Sequence, residues 1–188
     1  KISMKPNQNL FFIALLPPKT VQQAAHEIKE HFATFYQSRA AQKSPPHITL
    51  QPPFEWREEN LQNLTQQLQS FVQNYAPIPM ILDGFGAFKP RVIYINVMKT
   101  PELLKIQHDL MIFLETHLGI IHQPSKSRPF APHLTVGFRD LTKDNFTRAW
   151  SEFAHQSFHE EFVVEQLSLL ISKNGKWHVL EEYDFKSI

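Results

Sequence analysis

In the first forty residues, a continuous apolar run is followed by a stretch in which apolar residues recur at helical spacing. Residues 10–16 form a short apolar block that ends at Pro17 and Pro18, which is typical of a buried strand and too short for a membrane helix. From residue 20 to residue 36, apolar side chains recur every three or four positions, which predicts an amphipathic helix. The predicted apolar face of this helix consists of Val21, Ala24, Ala25, Ile28, Phe32 and Phe35.

The rest of the chain alternates between strand and helix patterns. Proline pairs bracket a short predicted strand over residues 47–51, and we expect Pro52 and Pro53 to end it. The pair Asn174-Gly175 is a strong turn signal and predicts a hairpin near the end of the chain. The remaining predicted elements are helices at 56–75, 101–118 and 143–153, strands at 77–85, 92–98, 133–138, 161–172 and 176–185, and a polar loop at 120–131. This order of elements indicates an α+β fold.

A five-residue motif occurs twice, as Pro46-His47-Ile48-Thr49-Leu50 and as Pro132-His133-Leu134-Thr135-Val136. Because successive side chains of a strand point to opposite faces, the histidine and threonine of each copy share one face and the aliphatic residues share the other. The second histidine follows the first by 86 residues, close to half of the 188-residue chain, and a predicted helix follows each copy. The spacing indicates a duplicated fold of two lobes with a cleft between them.

Two histidines and two threonines around one point can catalyse a phosphodiester reaction without a metal. One neutral imidazole accepts a proton from water or a hydroxyl group, and one protonated imidazole donates a proton to the departing oxygen. Threonine hydroxyl groups are suited to hold the non-bridging phosphate oxygens. The predicted catalytic residues are therefore His47, Thr49, His133 and Thr135. We favour His133 as the base and His47 as the acid, although the near symmetry of the two copies leaves the reverse assignment open.

The amino-acid composition limits the kinds of partner and of chemistry that we expect for this protein. The chain is 42% hydrophobic with sixteen phenylalanines, enough for a packed core, and we expect residues 1–188 to form one domain of two lobes. A formal net charge of +1 argues against a long nucleic-acid duplex as the partner but is compatible with a short RNA end. The absence of cysteine excludes disulfides and thiolate chemistry and fits a cytoplasmic location. We expect no membrane association, no obligate protein partner and a monomer.

The paired His-x-Thr motif resembles that of the 2H phosphoesterase superfamily, whose members include bacterial RNA 2',3'-cyclic phosphodiesterases, often named 2'-5' RNA ligases. The resemblance covers nearly the whole chain, because the first strand, a hairpin at 84–97 and the Arg128-Pro129-Phe130 approach to the second motif occur in the same order. It implies a duplicated fold in which antiparallel sheets line a central cleft and helices pack outside. It also implies catalysis by the two histidines and two threonines with no cofactor and no metal. The implied reaction opens 2',3'-cyclic phosphates on RNA termini or cyclic nucleotides, with 2'-5' RNA ligation as the reverse.

Three further residues are candidates for substrate binding. Arg128 and Lys43 precede the two motifs at comparable distances and are suited to contact phosphate, and the alternative is a solvent-exposed charge for each. Phe130 can stack on a base, and its alternative is a core position. Arg139 comes one position later than the arginine of many relatives, so we expect it to point away from the cleft.

A function of a different class is also compatible with the sequence. In this alternative, the protein is a module that binds nucleotides or RNA ends with little or no catalysis.

Overall fold

The computed structural model describes residues 7–187, which form eight strands and five α-helices. The strands are β1 (Gln8–Leu15), β2 (Ile48–Arg57), β3 (Ile78–Phe88), β4 (Val92–Val97), β5 (His133–Gly137), β6 (His159–Val164), β7 (Gln166–Lys173) and β8 (Lys176–Asp184). The helices are α1 (Lys19–Tyr36), α2 (Leu61–Val72), α3 (Pro101–Leu118), α4 (Gln123–Ser127) and α5 (Lys143–Phe153), with 3-10 turns at Ala40–Lys43 and Glu58–Asn60. This mixture of segments confirms the predicted α+β class.

The strands form two antiparallel sheets of four strands each. The first sheet has the order β2-β1-β7-β8, and the second has the order β5-β4-β3-β6. The strand that carries each copy of the motif is therefore an edge strand of its sheet. Helices cover the sheets, with α1 in contact with β5 and α3 in contact with β2 and β3. The two sheets thus repeat one arrangement, as a duplicated fold requires.

Both motif strands face a common apolar core with their aliphatic residues. Ile48 and Leu50 of β2 and Leu134 and Val136 of β5 are almost completely buried in the same hydrophobic cluster. The histidine and threonine of each motif alternate with these residues and are only partly buried. The predicted division of each motif into an aliphatic face and a polar face is confirmed. Burial of the aliphatic residues fixes the register, and so determines where the polar side chains point.

The first motif strand is longer than the proline pattern predicts. The expectation that Pro52 and Pro53 end it is wrong, because β2 continues through both to Arg57 and pairs with β1 as far as Gln8. Proline lacks the N–H that a strand paired on both sides needs, but β2 is an edge strand and has one unpaired side. The following helix consequently begins at Leu61 rather than at residue 56.

Two other predicted segments are divided in the structure. The stretch 161–172, predicted as one strand, is shared by β6 and β7, which belong to different sheets. A continuous apolar run does not reveal where a chain passes from one sheet to another, so the pattern could not separate them. The loop 120–131 contains the short helix α4. The hairpin across Asn174-Gly175 is confirmed as the pairing of β7 with β8.

The buried face of α1 also differs from the predicted face. Phe35 is 57% exposed and Ile28 is only partly buried, whereas Lys29 is 2% exposed. The Lys29 ammonium group donates hydrogen bonds to the carbonyls of Ala41 (2.8 Å) and Ser44 (3.0 Å). Hydrophobic periodicity predicts that a lysine is exposed to solvent. Here the two carbonyl acceptors reduce the free-energy cost of burying the ammonium group.

Candidate active site

The two motif histidines are held in the same way, His47 directly before β2 and His133 at the first residue of β5. The Nδ1–H of His47 donates to the carbonyl of Pro45 (2.7 Å), and the Nδ1–H of His133 donates to the carbonyl of Ala131 (2.7 Å). Each acceptor lies two residues before its histidine, across an intervening proline. A hydrogen bond of this kind assigns the ring proton to Nδ1, and it leaves the Nε2 lone pair of each imidazole free for proton transfer.

The two motifs come from different sheets and meet beside one pocket. Strands β2 and β5 are in contact, and Thr49 and His133 both line a pocket of about 640 Å³. Neither His47 nor Thr135 is among the described residues that line this pocket. Thr135 lies on the same face of β5 as His133. The structure therefore brings one polar residue of each motif, Thr49 and His133, to the same pocket.

The other sequence candidates differ in their placement. Arg128 and Phe130 line the pocket, with Arg128 exposed and Phe130 partly buried. Lys43 is exposed at the end of its 3-10 turn, and it is not among the described residues that line the pocket. Arg139 is exposed, and its guanidinium group lies 5.0 Å from the centre of the Phe138 ring, outside the pocket lining.

Burial controls the protonation of both histidines. Enclosure by the protein lowers the pKa of His47 from 6.5 to about 4. The hydrogen bond to Pro45 opposes this shift, and the charges of Lys29 and His133 add to it. Burial also lowers the pKa of His133, against the hydrogen bond to the Ala131 carbonyl. Both imidazoles are therefore neutral at pH 7 in the free protein. A phosphate anion bound beside them would favour the protonation of one ring.

Each histidine packs against an aromatic ring of the neighbouring strand in its own sheet. The ring of Phe12 in β1 lies 4.7 Å from that of His47, and the ring of Tyr94 in β4 lies 5.3 Å from that of His133. Phe88 at the end of β3 makes an edge contact with His133 at 5.0 Å. These rings limit the movement of the imidazoles. Motif spacing does not reveal Phe12 and Tyr94, because they reach the histidines only through the pairing of strands.

Gly86 provides the space in which the ring of Tyr94 lies. A Cβ atom on Gly86 would stand 2.4 Å from the Tyr94 Cε2 atom, so Gly86→Ala must displace the ring that supports His133. We expect kcat/KM to fall by up to about 100-fold with the fold retained, because a displacement of about 1 Å at a catalytic group can have that effect. Steady-state kinetics and urea unfolding measure the two quantities. An unchanged kcat/KM would show that Tyr94 does not position His133.

One wall of the pocket comes from helices α3 and α4, which the sequence analysis did not assign to the site. Gln107 and His108 of α3 line it, together with His122 just before α4. Gln107 is 9% exposed. The sequence feature that could have indicated a role for Gln107 is a glutamine on the apolar face of a helix, between Leu103 and Leu110. None of the described residues that line the pocket is acidic, which suits an anionic ligand.

Within residues 7–187, no group of three or more His, Cys, Asp or Glu side chains is placed to hold a metal ion. Zinc sites in proteins use three or four protein ligands, and the two motif histidines alone do not form such a set. No helix in this range is long and apolar enough to cross a membrane.

Comparison with known families decides the relationship. The family model described as the 2'-5' RNA ligase superfamily matches residues 17–176, a range that contains both motifs. The chain belongs to the 2'-5' RNA ligase superfamily. The resemblance to the 2H phosphoesterases that the paired motifs predict is thereby confirmed.

Curated relatives place this superfamily member among the phosphoesterases. A protein of Geobacillus kaustophilus named as a candidate phosphoesterase is 30% identical over 177 residues, which cover 91% of this chain and 93% of the relative. A similarly named protein of Bacillus mycoides is 29% identical over 174 residues, which cover 91% of this chain and 94% of the relative. The protein is therefore a phosphoesterase of the 2H kind.

Solved structures of other bacterial proteins show the same fold. TT0787 of Thermus thermophilus superposes with a TM-score of 0.69 at 23% identity and covers 95% of this chain and 98% of its own. E. coli LigT complexed with 3'-AMP superposes with a TM-score of 0.63 at 18% identity and covers 96% of this chain and 99% of its own. These likenesses confirm the predicted duplicated architecture, with two antiparallel sheets along a cleft and helices outside.

Proposed function

We propose that the protein is a phosphodiesterase that opens 2',3'-cyclic phosphates at RNA ends or on small nucleotides, with two histidines and no metal. The observation that carries the proposal is the matched pair of imidazoles, each held at Nδ1 by a backbone carbonyl with its Nε2 atom free. Membership in the 2'-5' RNA ligase superfamily supports this chemistry. The complex of E. coli LigT with 3'-AMP supports a nucleotide as the class of ligand.

Hydrolysis begins with the attack of water on phosphorus, and the bond from phosphorus to one ribose oxygen breaks. The neutral imidazole of one motif accepts the water proton at Nε2, and the imidazolium of the other motif donates its Nε2 proton to the departing oxygen. The hydroxyls of Thr49 and Thr135 donate hydrogen bonds to the non-bridging oxygens, whose charge grows in the transition state. The product is a 2'- or 3'-phosphomonoester. Attack by a 5'-hydroxyl group in place of water gives ligation at the same site.

The pocket beside the histidines is suited to a nucleoside. Its volume of about 640 Å³ lies within the range of sites for small ligands. Arg128 supplies a positive charge near the phosphate position, and the rings of Phe88 and Phe130 offer surfaces on which a base can stack. The amide of Gln107 supplies a donor and an acceptor for the edge of a base. We propose that the nucleoside occupies this pocket with its cyclic phosphate toward His133.

A panel of substrates tests the proposal. The protein is incubated in EDTA with 2',3'-cyclic nucleotides, ADP-ribose 1'',2''-cyclic phosphate and cyclic-ended oligonucleotides, with a 5'-hydroxyl oligonucleotide added to parallel reactions. We expect at least one cyclic phosphate to be converted into a single phosphomonoester isomer, because one geometry at the site selects one leaving oxygen. Binding of these compounds with no turnover of any of them would contradict the proposal and favour a binding module.

A further inference from the structure

The face of the first sheet that carries His47 also carries a small apolar cluster. This cluster consists of Phe12 and Ala14 of β1 and Leu170 of β7, and it is separate from the large core on the other face of the sheet. The contact between the rings of Phe12 and His47 shows that the cluster and the first motif histidine share a face. Trp177 of β8 packs at the margin of the cluster and is only partly buried. The site already described does not use Trp177.

A single aromatic ring separates Trp177 from His47. The centre of the Phe12 ring lies 4.7 Å from that of His47 and 4.6 Å from that of Trp177. The planes of the Phe12 and Trp177 rings meet at 69°, so Phe12 does not cover the indole ring as a parallel partner would. Val179, two residues further along β8 and therefore on the same face, is 37% exposed. Part of the indole ring is thus accessible close to the first motif.

The second motif has a comparable pair of aromatic rings. Tyr94 and Phe88 both contact His133, and Phe88, which is 40% exposed, lines the pocket of about 640 Å³. Trp177 corresponds to Phe88 because each is the accessible ring of the pair beside one motif histidine. Neither Trp177 nor Phe12 is among the described residues that line the pocket. The protein therefore has two separate surfaces on which a base can stack, one beside each motif.

The turn beside Trp177 is positively charged. Lys173 and Lys176 pair with each other at the end of the β7–β8 hairpin, and both are exposed. Neither lysine forms an ion pair with another described residue. The acidic residues of β8 begin at Glu181, away from this turn. An accessible aromatic ring next to free cations is typical of surfaces that bind single-stranded nucleic acid.

Resting on the proposed function, we propose that Trp177 is the stacking platform for the base of a second RNA end, the one whose 5'-hydroxyl group attacks the cyclic phosphate in ligation. The 5'-oxygen forms a bond to phosphorus, the bond from phosphorus to one ribose oxygen breaks, and the hydroxyl proton is transferred to that ribose oxygen. Attacking and departing oxygens lie roughly in line at phosphorus. The incoming nucleoside therefore lies outside the pocket that holds the nucleoside with the cyclic phosphate, and Trp177 is the accessible ring on the His47 side.

Tryptophan fluorescence tests the site without any turnover. The double variant Trp56→Phe/Trp150→Phe leaves Trp177 as the single tryptophan of the chain. The probe is adenylyl-(3'→5')-adenosine, which has a free 5'-hydroxyl group, titrated in the presence of saturating 3'-AMP to fill the pocket beside His133. We expect 3'-AMP alone to leave the emission nearly unchanged and the dinucleoside to quench it, because a stacked base quenches an indole ring.

Trp177→Ala tests the same site through the products. A cyclic-ended oligonucleotide is incubated with a 5'-hydroxyl oligonucleotide at a concentration below its KM, and the ratio of ligated to hydrolysed product is measured. We expect this ratio to fall about tenfold or more in Trp177→Ala, because stacking strengthens binding of the incoming end and water needs no such platform. Trp177→Phe should keep most of the ratio. His178→Ala, which changes the exposed residue that follows in β8, should keep the parent ratio.

Each alternative outcome has a distinct result. Emission that the dinucleoside does not change, or quenching that 3'-AMP abolishes, would overturn the inference, since the base then does not stack on Trp177 or occupies the pocket instead. If the double variant does not fold, equal quenching in the parent and in Trp177→Phe would overturn it. An unchanged product ratio in Trp177→Ala, or a parent that hydrolyses the cyclic end and never ligates it, would do so too. Failure of the proposed function appears differently: the dinucleoside quenches Trp177, yet no cyclic phosphate is opened.

Discussion

His47→Ala and His133→Ala are each expected to lower kcat/KM for a 2',3'-cyclic phosphate by about 100- to 10,000-fold, the usual contribution of one general acid or base. The Nδ1–H of each imidazole donates to a backbone carbonyl, which leaves its Nε2 atom available for proton transfer. Thr49, Thr135 and Arg128 remain in each variant, so we expect some turnover to persist. The double variant should lose less than the product of the two effects, because the two proton transfers serve one reaction.

A matched control is His26→Ala, which removes an exposed histidine of α1 that pairs with Glu30. Its kcat/KM should equal that of the parent. Circular dichroism and urea unfolding establish whether all the variants are folded, which is expected because both motif histidines are only partly buried. A rate within a few-fold of the parent in either motif variant would contradict the two-histidine mechanism.

The pH dependence of kcat/KM is expected to be a bell displaced to the acid side of an ordinary histidine pair. Burial lowers the pKa of His47 to about 4 and lowers that of His133 from its usual 6.5, so the maximum lies between these values. The general acid must carry its proton, so activity falls as pH rises through the higher of the two histidine pKa values. Because both pKa values are lowered, this fall occurs below the usual pKa of histidine. On the alkaline limb the loss is about tenfold for each pH unit, because the singly protonated fraction falls by that factor.

Initial rates at low substrate concentration between pH 4 and pH 8 measure this profile. The corresponding profile of kcat should lie at higher pH, because the bound phosphate anion stabilises the imidazolium. A kcat/KM profile that rises steadily from pH 6 to pH 8 would mean that no protonated histidine is needed. In that case the proposed acid step is wrong even if both motif histidines prove essential.

The parts of the site that lie within one motif could be predicted from the sequence. The alternation of His47 and Thr49 with Ile48 and Leu50 fixes the faces of the strand, because burial of one set determines the direction of the other. The separation of the two copies indicated a duplicated fold. These inferences depend on periodicity and on local chemistry, both of which the sequence carries directly.

The parts that depend on tertiary contacts could not be predicted. From the sequence alone, Lys29 is predicted to be exposed to solvent. It is buried because the fold places the carbonyls of Ala41 and Ser44 within hydrogen-bond distance of its ammonium group. Tyr94 reaches His133 only through the pairing of β4 with β5. Gln107 enters the pocket because α3 packs beside β2. Each contact joins residues that are distant in the chain, and the hydrophobic pattern does not record such contacts.

The central claim is that two histidines open a cyclic phosphate by adding water to phosphorus without a metal. The most direct measurement is a single turnover of a cyclic-ended oligonucleotide in EDTA and in water labelled with heavy oxygen, followed by mass spectrometry and chromatography of the product. The account predicts one labelled oxygen in a single phosphomonoester isomer, formed by the parent protein and nearly lost in His47→Ala and His133→Ala. Absence of label in the product, or equal rates in the parent and both variants, would contradict it.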